Sequence, residues 1–358
     1  MKIDSPVDGD ILHTNDGAVK EDGLHTTIKV SATSGSVIFV NGNKLDQSGD
    51  LFTGDIVLKQ YRNVFEVTDQ ITKEIETIVI YFLKDLAGKY RLSIDDNIWF
   101  LQDLTENANR YQSLFDNDYL AFLKKVNEKY GTKVHLNLFY QVEGFDLSRM
   151  TGKFRQEWKD NAYWIKLSFH ALQEFPDMPY VNAGYEEVKH DCQLVDAEIR
   201  RFAGEEVMGS VTTIHWGEAT VEGSRAMRDQ GYKAQLGYFN IDDGLPAVSY
   251  YLDEEQRRNI KKRFVWKDNR EDIVFIKTSI VIDTKKLDDI LPHLNRYIDE
   301  SRMPPYVDLL VHEQYYYPRY HNYQPDYREK ILTAVKWADD NGYKPAFLTD
   351  CIFDKRKS

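Results

Sequence analysis

Over residues 1–83, apolar and polar positions alternate in short runs that turn residues interrupt. Ile28, Val30 and Ala32 alternate with polar neighbours, and the run Val37–Val40 ends in Asn41-Gly42, a dipeptide favoured in two-residue hairpins. Later runs of this kind are Ile56–Leu58, Phe65–Val67 and Ile78–Leu83. Short strands separated by Gly, Asn and Asp are typical of a small sandwich. We therefore predict an all-β, immunoglobulin-like sandwich domain over residues 1–85.

From residue 86 onwards, strand-like runs alternate with longer runs of helical periodicity. Helices are predicted where apolar residues recur at helical spacing and a glycine follows, at 119–130 before Gly131 and at 185–202 before Gly204. Two further helices are expected at 287–297 and around 331–337. Strands are expected at Val134–Tyr140, Val211–His215, Val307–Val311 and Pro345–Leu348. This alternation predicts an α/β domain over residues 86–358 with a largely parallel sheet, either a barrel or a doubly wound layer.

The candidate catalytic and metal-binding residues fall at the ends of four predicted strands. Each strand runs directly into one or two of them: Asp95 and Asp96 after Tyr90–Ile94, His170 after Trp164–Phe169, His215 after Val211–Ile214, and His312 after Val307–Val311. In a parallel barrel the carboxyl ends of the strands meet at one rim, where active sites form. The pattern therefore predicts that these side chains share one site.

Each of these residues also has a structural explanation. Asp95 and Asp96 can form a turn or a helix cap, His170 can be a hydrogen-bonded core histidine, and His215 can belong to a packed turn. Adjacent carboxylates repel each other, however, and usually persist beside a cation or with a raised pKa. Imidazole and carboxylate ligands without thiolates suit Zn²⁺ or a similar divalent ion, and three such ligands leave coordination positions for water.

Charge and composition exclude several classes of protein. The formal net charge is −12, and the densest basic stretch, 257–263, follows two glutamates on a predicted helix, so no nucleic-acid partner is expected. The longest apolar run, Ile78–Leu83, is far too short to span a bilayer, and no signal peptide is visible. We expect no membrane insertion, and a location in the cytoplasm or, with a leader trimmed, outside it.

Residues 90–350 resemble the polysaccharide deacetylase, or NodB-homology, family of carbohydrate esterases. The best motif, Ser93-Ile94-Asp95-Asp96-Asn97, is similar to the family's Thr-Phe-Asp-Asp-Gly, and by that match Asp95 is the catalytic base and Asp96 a metal ligand. Leu167–His170 is similar to the segment that carries the family's first ligand histidine. Val311-His312 resembles the last motif, whose histidine is the general acid. The resemblance implies an incomplete (β/α) barrel of the polysaccharide deacetylase type.

The chain departs from the family pattern at two positions. Glu174 stands where the family has its second ligand histidine, so the third ligand is left open between His215, Glu174 and Asp177. Thr213–Gly217 falls where the family has Arg-Pro-Pro-Tyr-Gly, and Thr213 therefore replaces the arginine that orients the base. These departures indicate a divergent branch, in which metal affinity or the reaction itself can differ.

The resemblance implies that the protein hydrolyses an N-acetyl, or an O-acetyl, group on a carbohydrate. It also implies a divalent metal ion as cofactor, with Zn²⁺ as the first candidate. Four residues beside the motifs are predicted to contact the sugar: Trp99, Trp216, Glu313 and Tyr315. For the aromatic residues, core packing is the alternative. Two other functions stay open: a non-catalytic carbohydrate-binding barrel, which the missing histidine at Glu174 would explain, and a glycoside hydrolase that uses two carboxylates such as Asp95 and Glu313.

Overall fold

The computed structural model of the protein describes residues 1–242, 244–300 and 303–353. The chain divides into two units, the first formed by Met1–Ala87, Val265–Val274 and the residues from Cys351, the second by Gly88–Phe264 and Phe275–Asp350. Within the first unit, Trp266 Nε1 donates to the Asp8 carbonyl (2.8 Å) and Lys267 N donates to the Gly9 carbonyl (2.9 Å). The first continuous stretch of this unit ends at Ala87, close to the predicted boundary at residue 85. The unit also includes two distant segments that no local sequence pattern predicts.

Residues 1–87 of the first unit form ten strands: β1 (Lys2–Ser5), β2 (Ile11–Leu12), β3 (Ala18–Lys20), β4 (Gly23–Ser31), β5 (Ile38–Val40), β6 (Asn43–Lys44), β7 (Asp46–Ser48), β8 (Leu51–Leu58), β9 (Arg62–Asp69) and β10 (Ile75–Phe82). They form two five-stranded sheets, β1-β4-β8-β7 with β3 beside β4, and β2-β10-β9-β5-β6. Side chains from both sheets form one apolar core. The hairpin between β5 and β6 turns at Asn41 (φ 47°) and Gly42 (φ 80°), which confirms the predicted turn. Its immunoglobulin-like classification stays a prediction.

From Lys89 onwards, strands alternate with helices, as the apolar periodicity predicts. The strands are β11 (Lys89–Asn97), β12 (Val134–Phe139), β13 (Gln141–Val142), β14 (Phe145–Asp146), β15 (Ile165–Ala171), β16 (Val211–Thr212), β17 (Ala234–Gly237), β18 (Val265–Asp268), β19 (Ile273–Lys277), β20 (Ile280–Val281), β21 (Tyr306–His312) and β22 (Lys344–Pro345). The helices are α1 (Trp99–Glu106), α2 (Asp118–Tyr130), α3 (Arg155–Asp160), α4 (Tyr185–Phe202), α5 (Val221–Asp229), α6 (Glu254–Arg263), α7 (Leu287–Asp299), α8 (Tyr327–Asp340) and α9 (Thr349–Ile352). Within the described residues, every helix is too short or too polar to be a membrane span.

Helix α2 shows how closely local sequence sets an element. The Asn117 side chain accepts the backbone N–H of Leu120 (3.0 Å), which satisfies one of the donors exposed at the start of a helix. The helix ends at Gly131, whose φ of 68° lies in the left-handed region that glycine tolerates best. The predicted limits of this helix are confirmed.

A parallel sheet carries most of the candidate site residues. Its order is β15-β12-β11-β21-β20 with β22 beside β11, and each strand runs parallel to its neighbours. A second sheet contains β16, β17 and β19 in that order, and β20 continues the chain shortly after β19. Within the described residues, one isolated bridge, between Leu167 and Met208, joins β15 to the segment that precedes β16. The deacetylase-type incomplete barrel stays a prediction on this topology.

Two predicted strands are shorter than expected. Strand β16 ends at Thr212, and the residues 215–217 form a short 3₁₀ turn that contains a left-handed Trp216 (φ 65°). Near the C-terminus, β22 covers only Lys344–Pro345 and is followed by α9.

Candidate metal centre

The two adjacent aspartates sit in an irregularity of β11. The register between β11 and β12 shifts between Ile94 and Asn97, and Asp96 has a left-handed φ of 62°. The Asn97 side chain pins this bulge, because its Nδ2 donates to the carbonyls of Ile94 (2.6 Å) and Asn137 (3.0 Å). A bulge re-aims successive side chains, so two neighbouring carboxylates face different partners. Asp95 Oδ1 accepts a hydrogen bond from Asn137 Nδ2 (2.6 Å).

Asp96 faces two imidazoles that come from distant parts of the sequence. His170 lies near the end of β15, and His215 lies in the turn after β16. His170 Nε2 is 2.9 Å from Asp96 Oδ1 and 3.1 Å from His215 Nδ1, and His215 Nδ1 is 3.3 Å from the same carboxylate oxygen. All three side chains are buried. The structure thus brings three of the predicted residues to a single point.

Backbone carbonyls decide which nitrogen of each imidazole carries the proton. His170 Nδ1 lies 2.5 Å from the Thr213 carbonyl, and His215 Nε2 lies 2.9 Å from the Glu174 carbonyl. A carbonyl only accepts, so these two nitrogens are the donors. When both rings are neutral, as metal binding requires, His170 Nε2 and His215 Nδ1 each present a lone pair to the other and to the Asp96 carboxylate. Burial lowers the pKa of His170, but the Asp95 and Asp96 carboxylates outweigh burial and raise it, so without a metal ion a proton on Nε2 joins this ring to Asp96.

Three lone pairs directed at one point repel each other unless a proton or a metal ion lies between them. Bonds of 2.0–2.1 Å from a tetrahedral Zn²⁺ place neighbouring ligand atoms about 3.3 Å apart, close to the three observed separations. The carbonyl contacts on the outer nitrogens are the outer-shell bonds that metal-binding histidines usually make. Asp96, His170 and His215 therefore form a buried group that could hold a metal ion.

The electrostatic environments of the two aspartates differ. Burial raises the pKa of Asp95, and the nearby imidazoles of His170 and His312 offset only part of this effect. Burial acts on Asp96 as well, but hydrogen bonds with His170 and His215 hold its pKa well below the ordinary value. Asp96 is therefore ionised, as a metal ligand must be, whereas Asp95 is the more basic carboxylate of the pair.

His312 is the last residue of β21. This strand pairs with β11, and the register partner of His312 there is Asp95. Its Nδ1 lies 3.1 Å from both carboxylate oxygens of Asp283, and its backbone N–H donates to Asp283 Oδ1 (3.0 Å). Burial lowers the pKa of His312, but the Asp283 carboxylate outweighs burial and raises the pKa to about 10. At neutral pH His312 is therefore a protonated imidazole, with Nδ1 on Asp283 and Nε2 as the nitrogen that can transfer a proton.

The structure narrows the three candidates for the third ligand. His215 belongs to the metal-binding group, and Glu174 contributes its backbone carbonyl to the His215 ring. The Glu174 and Asp177 carboxylates are not members of the group. Of the three candidates, His215 is the one that the structure brings together with Asp96 and His170.

Glu313 requires a correction, because the structure gives it a role that excludes the predicted sugar contact. Its carboxylate is completely buried and accepts the backbone N–H groups of Ile98 (2.6 Å), Trp99 (3.0 Å) and Phe100 (2.7 Å) at the start of α1. The Tyr317 hydroxyl donates to it as well (2.8 Å). Glu313 caps a helix, as carboxylates favour at helix N-termini. The glycoside hydrolase alternative, which pairs Asp95 with Glu313, therefore loses its second carboxylate.

The other three residues predicted to contact sugar make ring contacts that lead to His312 or to His215. The Tyr315 ring is 6.1 Å from His312 and 5.2 Å from Tyr320, which in turn is 5.8 Å from Trp99. Trp216 is 36% exposed, with its ring 6.2 Å from His215. A groove of about 340 Å³ opens beside Trp99, lined by Trp99, Gln102, Asp103, Glu106, Tyr317, Pro318 and Arg319. Their contact with a sugar stays a prediction.

Three residues of the site do not appear among the sequence predictions. Asp283 follows β20, so the same strand-end criterion that identifies His312 would have found it. Asn97 stands in the motif with Asp95 and Asp96 but has no predicted role of its own, and Asn137 lies inside β12, where the strand-end criterion does not apply.

Comparisons with known proteins identify no family for this chain. No family model and no curated protein matches the chain. Among solved structures, it has a weak similarity to a putative alpha-galactosidase/melibiase from Bacteroides fragilis NCTC 9343, at 10% identity and a TM-score of 0.18. The alignment covers 59% of this chain and 50% of the other, so the chain spans about half the length of that protein.

Proposed function

We propose that this protein is a metal-dependent hydrolase that removes N-acetyl, or O-acetyl, groups from a carbohydrate. One observation carries the proposal: ligand atoms of Asp96, His170 and His215 lie within 3.3 Å of one another, beside Asp95, whose pKa is raised, and His312, which is protonated at neutral pH. A cation site flanked by a proton acceptor and a proton donor is the arrangement that hydrolysis of an amide or ester requires. The carbohydrate part of the proposal rests on the motif resemblance and the aromatic surroundings.

The donor set favours Zn²⁺ as the ion. Two imidazoles and one carboxylate without a thiolate are typical of zinc sites that keep open positions for catalysis. When bound, Zn²⁺ supplies Lewis acidity toward the acetyl carbonyl and lowers the pKa of water to near neutrality. The bulge in β11 turns Asp96 toward His170 and His215 and leaves Asp95 outside this group, so Asp96 and the two histidines would hold the ion.

Asp95 and His312 are the groups that move protons in this proposal. Asp95 accepts the proton of the attacking water, and the Asn137 amide holds its Oδ1 in place (2.6 Å). His312 donates its proton to the departing amine or alcohol, and Asp283 fixes its ring through Nδ1. Because Asp95 and His312 are register partners in parallel strands, their side chains can act on one scissile bond.

The direct test is acetate release from N-acetylated chitin oligomers by protein of defined metal content. We expect release with one equivalent of Zn²⁺ and its loss after chelation, with recovery on metal addition. O-acetylated xylan oligomers, assayed in parallel, decide between amide and ester substrates. Metal-loaded protein that binds the oligomers but releases no acetate from either would contradict the proposal and indicate a carbohydrate-binding protein.

Replacing Asp283 by Asn is expected to move the alkaline limit of activity to lower pH. A general acid works only while protonated, and without the Asp283 carboxylate the pKa of His312 falls from about 10 toward its ordinary value. A bound cation lowers both limits through its charge, so the difference between the two proteins is the quantity to measure. The test is kcat against pH, with the exposed Asp288→Asn as control. Identical alkaline limits in the wild type and Asp283→Asn would rule out His312 as the acid.

A further inference from the structure

The two ligand imidazoles lie on opposite sides of a break between sheets. Strand β15, which carries His170, is an edge of one sheet, and β16, which leads to His215, is an edge of the other. Within the described ranges, backbone pairing between them is limited to the bridge at Leu167 and Met208 and the bond from Gly209 N to the Leu167 carbonyl (2.8 Å). The distance between His170 and His215 therefore depends on the contacts that connect the two sheets further along β15.

Beside the metal-binding group, hydrogen bonds from side chains connect β15 to the sheet that contains β16 and β17. The Phe169 N–H donates to the Tyr232 hydroxyl (2.9 Å), and the Phe169 carbonyl accepts the Thr212 hydroxyl. His170 Nδ1 donates to the Thr213 carbonyl next to these bonds. Both backbone polar groups of Phe169, the residue before His170, are thus satisfied by side chains of Thr212 and Tyr232 rather than by a strand ladder.

Tyr232 connects β17 to β15, so it can fix the position of one sheet relative to the other. It lies two residues before β17, which pairs with β16 through Val211 with Ala234 and Thr212 with Gln235. The Tyr232 hydroxyl donates its single proton to the buried Asp196 carboxylate of α4. With the proton directed to Asp196, a lone pair of the hydroxyl is left to face the Phe169 N–H.

We propose that Tyr232, oriented by Asp196, is a positioning residue that sets the distance between His170 and His215 and thereby the affinity of the metal site. The proposal rests on the metal-dependent function proposed above. It concerns metal affinity alone, and neither residue contacts the ion or the reacting groups.

A second tyrosine supplies a matched control within the same protein. The Tyr180 hydroxyl donates to the buried Asp191 carboxylate of α4 (2.9 Å) and accepts the Leu172 N–H of the segment after His170 (2.9 Å). The chemistry is the same as at Tyr232, but Tyr180 belongs to the loop that follows β15 and does not cross to β16 or β17. Tyr343 provides a remote control, since its buried hydroxyl donates to the Pro304 carbonyl (2.8 Å).

The test is the dissociation constant of Zn²⁺, measured by competition with a chromophoric chelator for the wild type, Tyr232→Phe, Tyr180→Phe and Tyr343→Phe. We expect Tyr232→Phe to bind Zn²⁺ at least ~10-fold more weakly, in the range found when outer partners of metal ligands are lost. Both controls are expected to stay within ~3-fold of the wild type, because they leave the crossing bonds intact. Thermal unfolding of each metal-free variant separates loss of affinity from loss of stability.

A Zn²⁺ affinity of Tyr232→Phe equal to that of the controls would overturn the proposal, and so would an equal loss in Tyr180→Phe. If Tyr232→Phe does not fold, Thr212→Val takes its place, because it removes the other bond to Phe169 with little change in shape. Wild-type affinity in Thr212→Val would also overturn the proposal. Failure of metal-loaded wild type to release acetate contradicts the hydrolase function but leaves the affinity result to be decided separately.

Discussion

Asp96→Asn is expected to lose Zn²⁺ binding and acetate release together. The substitution keeps the size of the side chain, and asparagine tolerates the left-handed backbone at this position (φ 62°). It removes the only carboxylate of the metal-binding group and leaves two imidazoles. Losing an outer partner costs about 10–100-fold in metal affinity, and losing a direct ligand should cost more than about 100-fold. Isothermal titration with Zn²⁺ and the acetate assay measure the two losses.

The neighbouring Asp95→Asn serves as the matched comparison for metal binding, since both substitutions lie in the same bulge. Circular dichroism and thermal unfolding of the metal-free proteins show whether either change disturbs the fold. If Asp96→Asn binds Zn²⁺ as tightly as the wild type, the assignment of this residue as a ligand is wrong.

Asp95→Asn is expected to keep the metal and lose the reaction. Asp95 stands outside the three-membered ligand group, and its carboxylate is the basic group that can take the proton of the attacking water. A general base contributes about 10²–10⁴-fold to rate, so kcat should fall by that factor while the Zn²⁺ dissociation constant changes little. Steady-state kinetics on fully metal-loaded protein measures the effect.

Asp55→Asn, on an exposed strand position of the first unit, controls for the general effect of removing a carboxylate. A loss of Zn²⁺ binding in Asp95→Asn comparable to that in Asp96→Asn would make Asp95 a ligand instead of a base. Unchanged kcat would transfer the role of base to another group.

The strand-end criterion predicted the members of the metal-binding group because it depends only on local sequence. Asp96, His170 and His215 each follow or end a recognisable apolar run, and parallel strands bring such positions together whatever the details of the loops. Helix α2 and the hairpin at Asn41 could be predicted for the same reason, since their caps and turn residues are local.

The remaining features depend on contacts between distant segments. The tautomers of His170 and His215 follow from the carbonyls of Thr213 and Glu174, which no sequence pattern associates with them. The position of His215 beside Asp96 and His170 likewise depends on how the turn after β16 approaches β15. Glu313 was misassigned because a carboxylate beside a catalytic motif looks the same in sequence whether it faces a ligand or backbone amides.

The burial of Glu313 means that two adjacent positions of the chain will respond to mutation for unrelated reasons. A survey of inactive variants would score both His312 and Glu313 as indispensable. Only at the first would chemistry be lost; at the second, the opening turn of α1 would lose its anchor a few residues after Asp95 and Asp96. Activity alone cannot tell these causes apart, whereas protease resistance or amide exchange in α1 can.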